Sequence, residues 1–268
     1  MLQTLPRSRT SSGAAYLDRG RPGETVVLVH GVGMRIEAWA PQIDRLAEDF
    51  RVIAVDLPGH GQSAPLGAPP QLAHFVEWFD RTLDALGAGP VNVVGHSMGA
   101  LIATGIAATA PERVKRVALL NGVHRRSAAA RKAVEARARE IASGVFDREA
   151  PLLRWFSPDE RTGEVHSLTR DLLNAVDPAG YAAAYQAFAT GDSLYSHCWP
   201  NVAFPALFLT GAGDLNSTAG MAREMAAAAP HGCAVVIEGH RHMVNLTAPE
   251  AVNRALVDWL HWEVENEI

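Results

Sequence analysis

Val93-Val94-Gly95-His96-Ser97-Met98-Gly99-Ala100 reads as an apolar strand that turns, at a serine set between two glycines, into an alanine-rich apolar helix. The G-x-S-x-G spacing has a physical reason. A sharp strand-to-helix turn leaves little room beside the serine, and residues without a Cβ at 95 and 99 let neighbouring backbone pass close by. Ser97 then projects from the turn at a helix start, where free N–H groups and the positive dipole end suit an anion forming nearby. A plain glycine-rich turn of the kind α/β folds use freely has the same pattern, so the rest of the chain must decide between turn and nucleophile.

Outward from this turn, strands and helices alternate. Thr25-Val26-Val27-Leu28-Val29-His30, ending at Gly31, is a continuous β-branched run suited to a strand buried on both faces. Helical spacing over Trp39 to Glu48 leads to an apolar strand at Phe50 to Val55, closed by Asp56-Leu57-Pro58-Gly59. Leu72, Phe75, Val76, Phe79, Leu83 and Leu86 share one helical face ahead of the strand at Val91 to Val94. A helix over Met98 to Thr109 and a strand over Val114 to Leu120 follow. Residues 123 to 200 break the rhythm with helical stretches separated by Ser143-Gly144, Ser157-Pro158, Asp177-Pro178 and Gly191-Asp192, which predicts an inserted helical cap. Pro205 to Leu209 resumes the sheet, followed by a helix near Thr218 to Ala229, a strand at Ala234 to Ile237 and a closing helix from Pro249 to Trp262. The expectation is an α/β fold with a mostly parallel, doubly wound sheet, its core formed by residues 1–122 and 201–268 and its cap by residues 123–200. Right-handed crossovers in such a sheet gather the functional loops at the strand C-termini.

The 268 residues, 48% of them hydrophobic, supply material for one core plus an insertion, and no run of about eighteen apolar residues suggests a membrane span. Met1 to Gly23 is polar and has no apolar stretch of signal-peptide type, so a cytoplasmic location is expected. Cys198 and Cys233 are too few for a disulfide framework, and semi-buried apolar packing is expected of both. A net charge of −5 without a basic block argues against a nucleic-acid footprint, and the one acidic run is the short Glu263-Val264-Glu265-Asn266-Glu267 end. The expected partner is a small molecule, with no cofactor, metal, nucleic acid or membrane; oligomerisation stays open. Lysine occurs only at Lys115 and Lys132, so positive charge is nearly all arginine, which genome composition explains as well as carboxylate recognition does.

A serine hydroxyl is barely ionised at neutral pH, so a nucleophilic serine needs a base and a third group that orients the base. Asp214 follows the strand at Ala206 to Leu209, and two histidines, His240 and His242, follow the strand at Ala234 to Ile237. All fall at strand ends, where Ser97 also emerges. The order Ser, Asp, His is that described for α/β-hydrolases. Asp56-Leu57-Pro58-Gly59-His60-Gly61-Gln62-Ser63 is similar to the D-x-x-G-x-G-x-S turn of that family, and Gly95 to Gly99 match its nucleophile motif. From His30-Gly31-Val32-Gly33 to Thr247-Ala248-Pro249-Glu250 the chain thus resembles an α/β-hydrolase. The resemblance implies Ser97 as nucleophile, Asp214 as acid and the backbone N–H groups of Val32 and Met98 as the oxyanion hole. In the family the catalytic histidine usually precedes a Pro-Glu helix start by seven residues; His242 has that spacing to Pro249, and His240 stands two residues too far. Some relatives carry the acid after the strand that here ends at Leu120, where this chain has Asn121, and an amide cannot stabilise an imidazolium by charge. His30, His60 and Asp56 are expected to hold loops rather than to react.

Substrate choice is expected in the cap. Its aromatic residues, among them Phe146, Trp155, Phe156, Tyr181, Tyr185, Phe188, Tyr195 and Trp199, mostly suit a small core of the cap's own, with Tyr185 a candidate to face substrate. Most cap arginines are balanced by acids and expected in solvent; Arg137 and Arg154, set among apolar residues, are the candidates to bind a substrate carboxylate in bidentate fashion. The general pattern is similar to small catabolic serine hydrolases such as enol-lactone hydrolases. Asp214-Leu215-Asn216-Ser217-Thr218 with His242-Met243-Val244-Asn245-Leu246-Thr247 is similar, more narrowly, to hydrolases of acylamidomethylene-succinates. The implied activity is cleavage of an ester, lactone or amide bond in a small, carboxylate-bearing catabolic intermediate through an acyl-enzyme. Serine at 97 argues against haloalkane dehalogenases and epoxide hydrolases, which carry aspartate there. Met243 argues against hydrolases of ring-cleavage dienes, which typically carry tryptophan after the histidine. A non-catalytic binder, a lyase or a cofactor-free oxygenase on the same fold stays compatible with the sequence.

Overall fold

The structure, a computed structural model, describes residues 4–67 and 70–264; the acidic end read from the sequence lies, from Glu265 onward, outside them. Eight strands, β1 (Ser8–Arg9), β2 (Ala15–Gly20), β3 (Thr25–Val29), β4 (Arg51–Val55), β5 (Val91–His96), β6 (Val114–Leu120), β7 (Ala206–Gly211) and β8 (Gly232–Ile237), form one sheet in the order β1-β2-β4-β3-β5-β6-β7-β8. β3 to β8 run parallel to one another. β1 and β2 were not evident in the sequence; they pair antiparallel, with β2 laid along β4. The reason is visible in β2, where Ala15 and Leu17 point inward but Asp18, Arg19 and Gly20 are exposed, too short an alternation to stand out.

Both faces of the parallel strands are covered. In β3, Val27 and Val29 face one core while Val26 and Leu28 face the other, which accounts for an unbroken apolar run instead of an alternation. Helices α1 (Ala40–Leu46) and α9 (Pro249–Leu260) pack on the face of Val26 and Leu28; α2 (Leu72–Ala85), α3 (Met98–Thr109) and α8 (Ala219–Ala228) pack on the other. Every residue of α3 from Met98 to Ala107 is buried, so this helix has no polar stripe. The helix expected from Trp39 begins instead as a 3₁₀ turn, Ile36–Trp39, with Pro41 in the first turn of α1.

Between β6 and β7 run four helices, α4 (Ala128–Ala142), α5 (Glu149–Trp155), α6 (Glu164–Ala175) and α7 (Pro178–Gly191), which form a cap. Asp177 caps α7 by accepting from the Gly180 N–H at 2.8 Å. A separate cap core was expected and is not what forms: Leu152, Phe156, Leu173 and Tyr181 belong to the same apolar cluster as Val29, Phe75 and Met98. The cap therefore sits as a continuation of the main core. At α7 it meets the core backbone to backbone, since a Cβ on Gly180 would lie 2.0 Å from the Gly59 carbonyl oxygen. Gly180→Ala is expected to force α7 away from that turn at a cost of about 1–3 kcal/mol, which for a chain of this length lowers Tm by about 2–4 °C per kcal/mol. A thermal melt of the variant superimposing on that of the native protein would contradict this docking.

The topology fixes where a site can form. β3 lies between β4 and β5, so the chain advances one way across the sheet and then returns past β3. Such a reversal opens a crevice outside the strand C-termini. Val29 and Gly95 are register partners, so the loop after β3 and the turn after β5 start side by side.

Candidate active site

The turn after β5 holds Ser97 at φ 56°, ψ −111°, a backbone conformation that costs a residue with a Cβ about 1–3 kcal/mol. Its N–H donates to the Leu120 carbonyl at 3.0 Å, tying the turn to β6. A Cβ on Gly95 would lie 2.2 Å from the Gly99 oxygen, and one on Gly99 would lie 2.0 Å from the Val29 oxygen. Both glycines are thus required by the closeness of β3, β5 and α3.

Asp214 and His242 come from the loops after β7 and β8. His242 Nδ1 lies 2.7 Å from Asp214 Oδ2, with both side chains almost wholly buried. The same oxygen accepts from Asn121 Nδ2 at 2.7 Å, and Oδ1 accepts the N–H groups of Asn216 at 2.8 Å and Ser217 at 3.2 Å. Burial alone would push the Asp214 carboxyl up; the neighbouring imidazole and these hydrogen bonds outweigh it and hold the group below the usual carboxylate range. With Nδ1 engaged by Asp214, Nε2 is the nitrogen left for proton transfer. No hydrogen bond joins Ser97 Oγ to that imidazole among the described residues, but both groups line one cavity, and such bonds commonly tighten only when substrate is bound. His240 is elsewhere, its Nδ1 at 2.9 Å from Glu160 and 2.8 Å from Thr247.

Two rings pack against that of His242. His96 is 5.0 Å away by ring centroid, and its Nε2–H donates to the His242 carbonyl at 2.8 Å; burial and then the neighbouring His242 press His96 down to about 3, so it is neutral. On the cap side Trp155 stacks at 5.5 Å and 25°.

The loop after β3 is braced by two further neutral histidines. His60 Nε2 accepts the Gly33 N–H at 3.0 Å and His30 Nε2 accepts the Leu57 N–H at 2.9 Å, which leaves each Nδ1–H to donate to a carbonyl, of Pro58 and Gly31 respectively. Burial lowers both, His60 to about 3, in keeping with rings that accept. Asp56 accepts from the Ile36 and Gln62 N–H groups, and Arg7 reaches it from β1's approach at 2.6 Å while also holding Glu37. No sequence signal pointed to Arg7, which is 49 residues from Asp56 along the chain. Val32 lines the cavity; Met98 does not, but as the first residue of α3 its N–H has no acceptor within the helix.

The cavity has a volume of about 180 Å³. The cap contributes Arg137, Arg154, Trp155, Tyr181, Tyr185 and Phe188 to its lining, and the acid loop contributes Asn216. Half of the cap aromatics singled out in the sequence therefore face this space. Neither Arg137 nor Arg154 is paired with a carboxylate among the described residues, and burial together with the Arg137 charge lowers Arg154 from its ordinary value. Arg126 departs from the solvated expectation: it is buried against Asp192 at 3.3 Å and over the Phe188 ring at 4.3 Å. Cys198 is buried, but Cys233 is exposed, correcting the expectation of packing for both. Among the described residues no cluster of His, Cys, Asp and Glu is placed to hold a metal ion, and no helix is long and apolar enough to cross a membrane.

A serine at a strained elbow and an imidazole on one cavity, a buried carboxylate behind that imidazole and a free helix N-terminal N–H next to the serine form the parts list for acyl transfer. Comparison with known proteins agrees. A family described as alpha/beta hydrolase fold matches residues 24–150, the stretch from β3 through the elbow into α5. Over 256 residues, 96% of each chain, the protein is 50% identical to (E)-2-((N-methylformamido)methylene)succinate hydrolase of Acinetobacter baylyi. It is similar to a solved thermophilic esterase from Thermogutta terrifontis with malate bound, at TM-score 0.85 and 26% identity over 96% of this chain and 98% of that one. An enol-lactonase from Burkholderia xenovorans superimposes at TM-score 0.81 and 29% identity, covering 96% of this chain and all of that one. Sheet order, elbow and relatives over nearly the full length converge: the chain belongs to the α/β-hydrolase fold family and is a hydrolase.

Proposed function

We propose that the protein hydrolyses an N-acyl enamine carrying a succinate, the substrate type named for its Acinetobacter relative, through a Ser97–His242–Asp214 triad. The observation that carries this reading is the pair of cap guanidinium groups, Arg137 and Arg154, in the same cavity as Ser97 and without carboxylate partners among the described residues. Two unneutralised cations side by side repel each other, and a dianion relieves both. A succinate supplies two carboxylates of the right charge, and arginine's planar fork suits each. The malate held by the similar esterase is also a small dicarboxylate.

In this reading residues 1–122 and 201–268 form the catalytic core and residues 123–200 the cap that selects substrate, with Tyr185 beside the arginines. Ser97 Oγ attacks the acyl carbonyl while His242 Nε2 takes its proton, and the oxyanion is met by the Val32 and Met98 N–H groups. The tetrahedral intermediate collapses as His242 returns the proton to the departing nitrogen. Water then attacks the acyl-enzyme by the same route, releasing a carboxylic acid. Asp214 keeps His242 oriented and stabilises its charged form.

The test is a substrate panel of acylamidomethylene-succinates, the matching monocarboxylates and a neutral p-nitrophenyl ester, run on native protein, Arg137→Ala and Arg154→Ala. Each substitution is expected to raise KM for the dicarboxylate about 10- to 100-fold, the loss of a charge-assisted hydrogen-bonded pair, with little change for the neutral ester. Equal losses on both substrates would overturn the carboxylate-binding role.

A further inference from the structure

Three consecutive residues of the loop that carries His242 are each bonded to the limb of the cap formed by α5 and the 3₁₀ turn Pro158–Thr162. The His242 N–H donates to the Trp155 carbonyl at 3.1 Å. Arg241 Nη1 donates to the Phe156 carbonyl at 3.2 Å and reaches the Leu153 carbonyl at 3.5 Å. His240 Nδ1 meets Glu160 Oε1 at 2.9 Å. The first two contacts have a common cause. The last carbonyls of a helix have no partner within it and carry its negative dipole end, so a backbone N–H and a guanidinium are what the end of α5 attracts. The Trp155 indole then lies nearly parallel to the His242 ring, at 5.5 Å and 25°.

We infer that this cap limb is the seat of the general base and not a moving lid: Trp155 is a positioning residue that fixes the His242 imidazole, and Arg241 bolts the base loop to the end of α5. The inference rests on the triad reading given above. Its mechanical content is that the 153–160 limb and the base loop move as one body, so that lifting this limb would misplace the base. Any opening that admits substrate then belongs to α4, which carries Arg137, because α7 is itself held backbone to backbone at Gly180 on the Gly59 turn. Trp155 holds the ring in two ways at once, by its carbonyl on the His242 main chain and by its face on the imidazole. Proton transfer is steep in distance and angle, and a base loosened by a fraction of an ångström loses rate without losing substrate affinity.

Trp155 also lines the cavity, so the experiment needs a readout independent of cap–substrate contacts. The second-order rate of Ser97 phosphonylation by a small neutral fluorophosphonate provides one: the Ser97 O–P bond forms, fluoride leaves and the serine proton passes to His242. Trp155→Leu is expected to slow labelling about 10-fold and to lower kcat by a similar factor with KM nearly unchanged, Trp155→Phe falling in between. Arg241→Gln, a residue outside the cavity lining, is expected to slow labelling by at least about threefold. Native labelling rates in Trp155→Leu and Arg241→Gln, alongside strong loss in His242→Ala, would overturn the positioning role while leaving the triad standing. A native rate in His242→Ala would overturn the triad reading and this inference with it. If Trp155→Leu does not fold, Trp155→Phe and Arg241→Gln carry the same test, and native rates in both overturn it.

Discussion

Turnover in Ser97→Ala is expected to fall by at least ~10³, the loss typical of removing a covalent nucleophile. On the proposed mechanism the hydroxyl is the group at the elbow that forms the acyl-enzyme, and His242 and Asp214 cannot compensate because their role there is to activate that oxygen. Alanine keeps the Cβ and the turn, so the fold should melt as the native protein does, which separates a chemical loss from a structural one. Mass spectrometry after fluorophosphonate treatment should show a single adduct in the native chain and none in the variant. A variant that kept a near-native rate would mean that water attacks directly with His242 as its base, and the covalent mechanism would be abandoned.

Asp214→Asn is expected to be nearly as severe, lowering kcat by about 10³- to 10⁴-fold through loss of the orienting, charge-stabilising acid. The local hydrogen bonds make the case. Asp214 accepts on both oxygens, from His242 and Asn121 on one and from the Asn216 and Ser217 N–H groups on the other. An amide has one acceptor oxygen, so whichever way it turns, its NH₂ must face donors. If its oxygen stays with the two backbone groups, the imidazole gives up its Nδ1–H and the wrong tautomer results. Stability should suffer too, and with a defined pH dependence. The Asp214 carboxyl is held below its unfolded value, so its contribution is fully present above about pH 4 and is lost as pH falls through the lower folded value. The stability difference between native protein and variant is therefore expected to be widest near neutrality and to narrow in acid, as read by urea unfolding at a series of pH values. A difference that grows on acidification would contradict the assignment.

Legibility in the sequence followed how local the physical cause is. The elbow could be read because its requirements, two glycines and a serine within five residues, are imposed by its own backbone geometry. Asp214 and His242 could be placed because parallel strands deliver their following loops to one edge; His242 lines the cavity that Ser97 lines, and Asp214 is hydrogen-bonded to His242. Arg137, Arg154 and Tyr185 were recognisable as polar or aromatic groups in an apolar helical segment, and all three face that cavity. What could not be read depends on pairings across the chain. Arg7 looked like one more arginine in a polar N-terminal stretch, yet it is buried between Glu37 and Asp56. Asn121 drew notice only as a residue unable to serve as the acid; its contribution is to hydrogen-bond the acid from the alternative position, at φ 50°. Trp155 was one aromatic among eight, and nothing in its neighbourhood in sequence announces a stack on His242, 87 positions away. β2 escaped because an edge strand with one wet end has little periodicity to offer.

The backbone of Ser97 carries a consequence for how the protein can change over generations. Its φ of 56° and ψ of −111° are comfortable only for glycine, and the strain is a sizeable share of the ~5–15 kcal/mol by which a domain typically exceeds its unfolded state. A serine-to-glycine exchange would relax the turn and, on the proposed mechanism, leave a sturdier but inert protein, so selection acting on durability alone would erase the reaction. Enzymes of this design persist only while activity is selected, and stabilised descendants must find their gains away from the elbow.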